Sequence, residues 1–252
     1  MAAPTFILSF FDYTGNAVRD WAEAGAECIC YDIQHEPGRG RSERVGAGWI
    51  HYRHADLTPG SEDWGWIKLA WRKGDIRLIY AFPPCDDMAV SGAKHFARKA
   101  AEKGADFQRK AAEMAMHVAE FADEIEAPYV IENPNSVLST LWRKPDHYFN
   151  PNEFGGYLPE DDQHPRHPRY IAPRDAYTKR TGLWVSKGFQ MPEAKPVEPE
   201  VIERVNSKGK TLRGSRQFWL LGGKSLKTKN IRNETPRGFA RASFLANGEE
   251  LA

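Results

Sequence analysis

The chain has 252 residues, with 35 Lys and Arg against 34 Asp and Glu and a formal net charge of +1. That length suits one large α/β core or one core with a modest appendage. The near-zero charge gives no global reason to expect nucleic acid, a membrane or an acidic partner, so any electrostatic footprint must be local. Three cysteines, Cys28, Cys30 and Cys85, are too few for a disulfide framework, and no Cys-x-x-Cys pair suggests zinc. A reducing compartment fits that usage. The segment from Met1 to Leu8 lacks a basic leader with a long apolar run, and nothing later approaches the roughly 20 apolar residues that span a bilayer. The expectation is a soluble, cytoplasmic protein without membrane or metal, monomeric or weakly dimeric.

In chain order, the apolar run from Phe6 to Phe11 reads as a strand that stops at Asp12-Tyr-Thr-Gly15. Val18, Trp21 and Ala22 then stand at helical spacing between Asn16 and Gly25. A second strand, Glu27 to Asp32, ends in an acid, and Tyr52 to Asp56 contains a candidate third. Asp75 to Phe82 is a buried strand broken by Pro83-Pro84. From about Ala105 to Glu126, Phe107, Ala111, Met114, Ala115, Val118, Phe121, Ala122 and Ile125 share one face of a long helix, and the strand Tyr129 to Glu132 follows. Strands alternating with helices imply a mostly parallel, doubly wound sheet of Rossmann-like α/β class, with ligands beyond the carboxyl ends of its strands. That directs attention to Asp12–Gly15, Asp32, Asp56, Cys85 and Glu132.

Residues 149–199 loosen into Pro, Gly and aromatic residues, read as surface loops and short strands. His164 and His167 there lack partners with metal-ligand spacing, so metal binding is not expected. From Val205 to Asn233 eight basic residues (Lys208, Lys210, Arg213, Arg216, Lys224, Lys227, Lys229 and Arg232) occur without an acid, with Phe218 and Trp219 among them. Such a run is either a solvated face or a phosphate-contacting surface with stacking aromatics.

Two motifs carry chemistry. Ala81-Phe-Pro-Pro-Cys85 holds a thiol just past a buried strand, either as a small buried residue or, if nearby positive charge favours the thiolate, as a covalent nucleophile. Val130-Ile-Glu-Asn-Pro134 places an acid at the end of another strand, where it is a cap, an ion-pair partner or, if burial raises its pKa, a proton donor to a heterocycle. Together they suit attack on an electron-poor ring.

With these residues in order (Phe11-Asp-Tyr-Thr-Gly15, Tyr31-Asp32, Ala55-Asp56-Leu57, Pro83-Pro84-Cys85, Glu132-Asn133-Pro134), the chain resembles the DNA cytosine-5 methyltransferase family, in a compact form of the kind associated with phages and prophages. The resemblance implies an S-adenosylmethionine-dependent methyltransferase fold and DNA as partner. It implies Phe11, Asp12, Gly15, Asp32, Ile33, Asp56, Leu57 and Pro83 around the cofactor, and Cys85, Glu132, Asn133 and Arg180 in the catalytic pocket. Within Lys179-Arg180, either cation suits the family's arginine segment. It further implies DNA contacts from Ser91, Lys208, Lys210, Arg213, Arg216, Lys224, Lys227 and Lys229. The corresponding division is a catalytic core over 1–185, a small basic target-recognition insertion over 186–233 and a C-terminal helix over 234–252 returning to the core. By resemblance, Cys85 adds to ring carbon 6 of a flipped cytosine, Glu132 stabilises protonated nitrogen 3, and carbon 5 takes the methyl group and loses its proton.

The chain departs from the family pattern at Tyr13 and Asn16, where glycines are usual. It also departs at Asp86-Asp87-Met-Ala-Val-Ser-Gly92, where Gln-x-Phe-Ser commonly follows the cysteine. An RNA or free-nucleotide acceptor, a non-catalytic binder of DNA or cofactor, and a thymidylate-synthase-like enzyme are the competing readings.

Overall fold

A computed structural model describes residues 5–222 and 225–248. The first strand, β1 (Phe6–Phe10), leads through a 3-10 turn at Asn16–Val18 into a short helix α1 (Arg19–Glu23) and then β2 (Glu27–Asp32). A hairpin follows, β3 (Arg41–Val45) and β4 (Gly48–His54), then α2 (Glu62–Ala70), started by Ser61, whose hydroxyl accepts from the Trp64 N–H. Next come β5 (Ile76–Ala81), α3 (Phe96–Lys103), the long α4 (Phe107–Glu124) and β6 (Tyr129–Pro134). The last third adds α5 (Leu138–Leu141), β7 (His147–Phe149) and β8 (Thr181–Val185), then β9 (Ile202–Val205) and β10 (Thr211–Gly214). It ends with α6 (Arg216–Leu220), α7 (Leu226–Asn233) and α8 (Arg237–Asn247).

Eight strands form one sheet in the order β3-β4-β2-β1-β5-β6-β8-β7. The pairs β4/β2, β2/β1, β1/β5 and β5/β6 are parallel, and β3, β8 and β7 add antiparallel edges. This is the mostly parallel, doubly wound Rossmann-like sheet that the alternating pattern implies. The chain winds outward from β1 to one side and then crosses back to β5, so the strand order reverses between β1 and β5. A crevice opens beyond the carboxyl ends of the strands at such a reversal.

Burial on both faces explains why the central strands are continuous apolar runs. Leu8, Ile29, Ile79 and Ile131 pack on one face against α2 and α4, while Ile7, Cys28, Cys30, Leu78, Tyr80 and Val130 pack on the other against α1 and α8. Alanines 111, 112, 115, 119 and 122 let α4 approach the sheet closely. On the opposite face Trp21 donates to the Tyr80 hydroxyl (3.0 Å), which also bonds Ser243 (2.7 Å), tying α1, β5 and α8 together.

Several boundaries differ from the sequence reading. The helix expected over 16–25 is a 3-10 turn followed by only five α-helical residues. The third strand expected at 52–56 begins earlier, at Gly48, and pairs with the largely exposed β3, which carries no apolar run to announce it. Within the stretch read as surface loops and short strands, the segment 181–185 is a buried antiparallel strand between β6 and β7. The basic stretch forms a separate two-stranded hairpin, β9/β10, with α6 and α7. Its small core joins Leu221 and Ile231 to Ile171 and Tyr177, so residues on both sides of position 185 build it.

Candidate active site

At the end of β1 the backbone of Phe11 turns left-handed (φ 57°), a conformation costly for a bulky residue and held here by the Asp12 turn. Asp12 is buried and saturated: it accepts from the Thr14 and Gly15 N–H groups (2.9 and 2.8 Å) and from the Ser9 hydroxyl (2.8 Å). Gly15 is itself left-handed (φ 71°), and a Cβ there would meet the Tyr52 hydroxyl at 2.7 Å. Gly15 therefore serves the turn, and the turn's Asp12, Tyr13 and Thr14 line the crevice instead.

That crevice is a cavity of about 360 Å³. Asp32, at the end of β2, accepts from the Gln34 N–H (2.8 Å), and burial pushes its carboxyl above the usual range. Ile33 is 62% exposed and flanks the opening. Beyond β4, hydrogen bonds from Thr58 hold the Asp56 carboxyl below its usual range, and Leu57 lines the wall. Phe11, Ile33, Leu57, Phe82 and Pro83 thus form an apolar slot beside two acids.

The nucleophile candidate lies past β5. Burial pushes the Cys85 thiol up to about 11, against the opposing pull of the Lys179 ammonium and with the support of Glu132 and Asp86. On the neighbouring β6, burial raises Glu132 above the carboxylate range, again against Lys179, whose Nζ lies 3.9 Å from Glu132 Oε1. Burial thus favours the protonated form of both groups, and the Lys179 ammonium opposes it at each. Parallel pairing of Ala81 with Ile131 sets the two strand ends side by side. Asn133 is fully buried and donates from Nδ2 to the Pro83 carbonyl (3.1 Å), joining the two loops at their base.

Of the pair Lys179-Arg180, it is Lys179 that enters the cavity. Arg180 is exposed, with its guanidinium 4.2 Å from the centre of the Tyr148 ring. The placement corrects the assignment of Arg180 to the pocket: on strand β8 and the run into it, adjacent side chains point to opposite sides. Asn133 likewise holds the Pro-Pro-Cys loop in place of facing the cavity.

The acids that follow Cys85 diverge. Asp87 is clamped by Lys99 (2.9 Å) and Lys103 (2.7 Å) of α3, whereas Asp86 lines the cavity and pairs with Lys229 of α7 at 2.5 Å. α7 is a wall of the site that sequence reading missed: Leu226, Lys229, Asn230 and Asn233 line the cavity, and Asn230 donates to Gln34 (2.9 Å) on the opposite rim. A basic run signals a surface helix but not what it covers.

The basic residues divide by partner. Arg216 makes a two-pronged bond to Glu200 (2.6 and 2.5 Å), and Arg213 pairs with Glu203 (2.9 Å). Among the described residues Lys208, Lys210 and Lys227 have no ion-pair partner, and Lys224 lies outside the described residues. Ser91 is exposed in the 3-10 segment Val90–His95. Phe218 is 61% exposed and lies against Gly214, where a Cβ would meet its ring at 2.4 Å.

His164 and His167 gather on the buried Glu234, with ring nitrogens 2.9 and 3.3 Å from its oxygens. Burial opposes ionisation there, but His164 and the Arg166 guanidinium hold the Glu234 carboxyl below its usual range. Among the described residues no group of three or more His, Cys, Asp or Glu is arranged to hold a metal ion, and no helix is long and apolar enough to cross a membrane.

No family model matches the sequence, and no curated protein matches it. Among solved structures, the chain is similar to a presumed DNA modification methyltransferase encoded within an E. coli prophage, at 13% identity and a TM-score of 0.40. The match covers 77% of this chain and 52% of that one, so the chain spans about half of that structure's length.

Proposed function

We propose that this chain transfers a methyl group from S-adenosylmethionine to carbon 5 of cytosine in DNA, with Cys85 as the nucleophile and Glu132 as the acid. The observation that carries this reading is the convergence of Cys85, Glu132 and Lys179 on the same cavity as the Asp32 and Asp56 carboxylates and the apolar slot beside them.

The residues present fit the cofactor. Among the described residues the Asp32 carboxylate accepts hydrogen bonds from Gln34 alone, which leaves it acceptor capacity that suits a ribose diol. The slot of Phe11, Ile33 and Leu57 suits an adenine ring, and the surrounding acids suit a sulfonium cation. S-adenosylmethionine supplies an electrophilic methyl group and leaves as S-adenosylhomocysteine.

The remaining chemistry belongs to the chain. Cys85 must become a thiolate, and the Lys179 ammonium is the group that lowers the cost. The thiolate adds to carbon 6 while protonated Glu132 gives its proton to nitrogen 3, which leaves carbon 5 electron-rich. A neutral Glu132 is what that task needs, and its burial favours the neutral form. Because the cavity is enclosed by α7, the base must leave its stack, at a cost of a few kcal/mol. Lys208, Lys210 and Lys227 are the cations free to meet phosphates, and Phe218 offers a face for stacking.

The test is incubation of the purified protein with tritiated S-adenosylmethionine and, separately, duplex DNA, RNA and dCMP, followed by nucleoside analysis, with Cys85→Ala alongside. Label in 5-methylcytosine from duplex DNA and wild type only is the expected result. Label appearing only in RNA or dCMP replaces the acceptor, and equal labelling by the variant removes Cys85 from the mechanism.

A further inference from the structure

The reaction just proposed ends with loss of a proton from carbon 5, and no group has yet been given that task. Five carboxylates line the cavity: Asp12, Asp32, Asp56, Asp86 and Glu132. Asp12 is saturated by its own turn. Asp32 and Asp56 follow β2 and β4, on the far side of β1 from the thiol. Glu132 is committed to nitrogen 3, on the far side of carbon 4 from carbon 5. Asp86 alone follows the nucleophile directly.

The local backbone fixes where Asp86 stands. Met88 and Ala89 donate their N–H groups to the Cys85 carbonyl (2.9 and 2.8 Å), closing a tight turn immediately after the thiol. The turn points Asp87 away from the cavity to Lys99 and Lys103 of α3 and leaves the more exposed Asp86 on the cavity, where Lys229 pairs with it. Sulfur bonds to carbon 6, and Asp86, the next residue in that turn, lines the same cavity, on the thiol's side of the sheet switch point where the adjoining carbon 5 must lie.

Resting on the cytosine-5 reading, we infer that Asp86 is the base that removes the proton from carbon 5 and so releases the methylated ring from Cys85. In that step the C5–H bond breaks and its electron pair forms the C5–C6 double bond. The C6–S bond breaks, its pair returning to sulfur as thiolate, and the proton passes to an Asp86 oxygen and on to solvent at the exposed rim. The proton on nitrogen 3 returns to the Glu132 carboxylate. Lys229 acts here as a positioning residue.

The experiment compares full-length wild type with Asp86→Asn on duplex DNA tritiated at cytosine carbon 5, reading tritium release with and without S-adenosylmethionine and protein–DNA adduct on denaturing gels. Asp86→Asn is expected to release tritium roughly 100-fold more slowly or worse, the low end of what a general base contributes, and to accumulate a methylated covalent adduct that wild type does not. Cofactor-free tritium exchange falls by a similar factor. Duplex DNA carrying 5-fluorocytosine, whose fluorine cannot leave as a cation, traps both proteins equally, because folding, binding and thiol addition do not need Asp86. Asp86→Glu, which keeps the carboxylate, restores release without adduct. The proposal is overturned if Asp86→Asn releases tritium at the wild-type rate, or if it slows release but fails to trap 5-fluorocytosine DNA, which would place the residue in folding or binding. A wild type that neither methylates DNA nor traps it overturns the functional reading itself.

Discussion

The strand ends of the sheet and the basic region opposite them use charge in contrary ways. At the sheet edge the thiol and the acid beside it lie in a cavity and are shifted by their surroundings: Cys85 and Glu132 are both raised by burial, with Lys179 opposing. In the basic region charges are many and exposed, and several are already spent, Arg216 on Glu200, Arg213 on Glu203 and Lys229 on Asp86. Counting charges in a sequence thus overstates what is free to meet a partner. A single buried group can matter more than a run of surface cations.

The comparison breaks most sharply at Glu132. Glu132→Gln should lower turnover by about 10³-fold, within the range for loss of a general acid, while DNA affinity by fluorescence anisotropy stays within twofold. Because the folded carboxyl is raised, its contribution to stability is full below the unfolded pKa and is lost as pH rises through the folded value. Thermal melts of wild type should therefore carry a pH dependence in that window that the Gln variant lacks. A variant that turns over normally removes Glu132 from the chemistry.

Lys179→Met should come next. With its one opposing cation gone, the Cys85 thiol rises further above about 11, so iodoacetamide labelling at pH 8 should slow by about tenfold, the equivalent of one pKa unit. In wild type the same labelling should climb steadily from pH 7 to 10 without a plateau. Unchanged labelling in the variant means that another group governs the thiol.

The exposed region separates through two smaller effects. Lys208→Ala with Lys210→Ala should reduce the slope of log affinity against log salt by about 2, as for two lost phosphate contacts, with the melting temperature unchanged. Arg216→Ala should do the reverse, costing about 1–2 kcal/mol of stability through the lost two-pronged bond and leaving the salt slope alone. If Arg216→Ala changes the slope as the lysines do, the division of the region into spent and free charges fails.

The sheet core was legible because β1, β2, β5 and β6 are buried on both faces, so their apolar runs stand out. The edge strand β3, with the pattern Arg-Ser-Glu-Arg-Val, has no such run, and β8 hides in a stretch of Thr, Lys and Arg because its partners β6 and β7 come earlier in the chain. Asp32, Asp56, Cys85 and Glu132 could be placed on one sheet edge because strand ends in a parallel sheet share a side. What could not be read was which of Lys179 and Arg180 turns inward, since that depends on the register of β8, or that α7 would cross the cavity, since that depends on packing among residues about 50 apart, such as Tyr177 and Ile231. The shared role of Asp86 and Lys229 was hidden for the same reason: 143 positions separate them.

The bond from Asn133 to the Pro83 carbonyl works as a fixed caliper. It spans the gap between the thiol loop and the acid strand from beneath and is buried from solvent, so the spacing of those jaws is fixed at their base. Any give must come from the α7 side, whose contacts Lys229–Asp86 and Asn230–Gln34 are exposed and readily exchanged for solvent. Solvent viscosity and ionic strength should accordingly act on access through the α7 side and leave the spacing of the two loops unchanged.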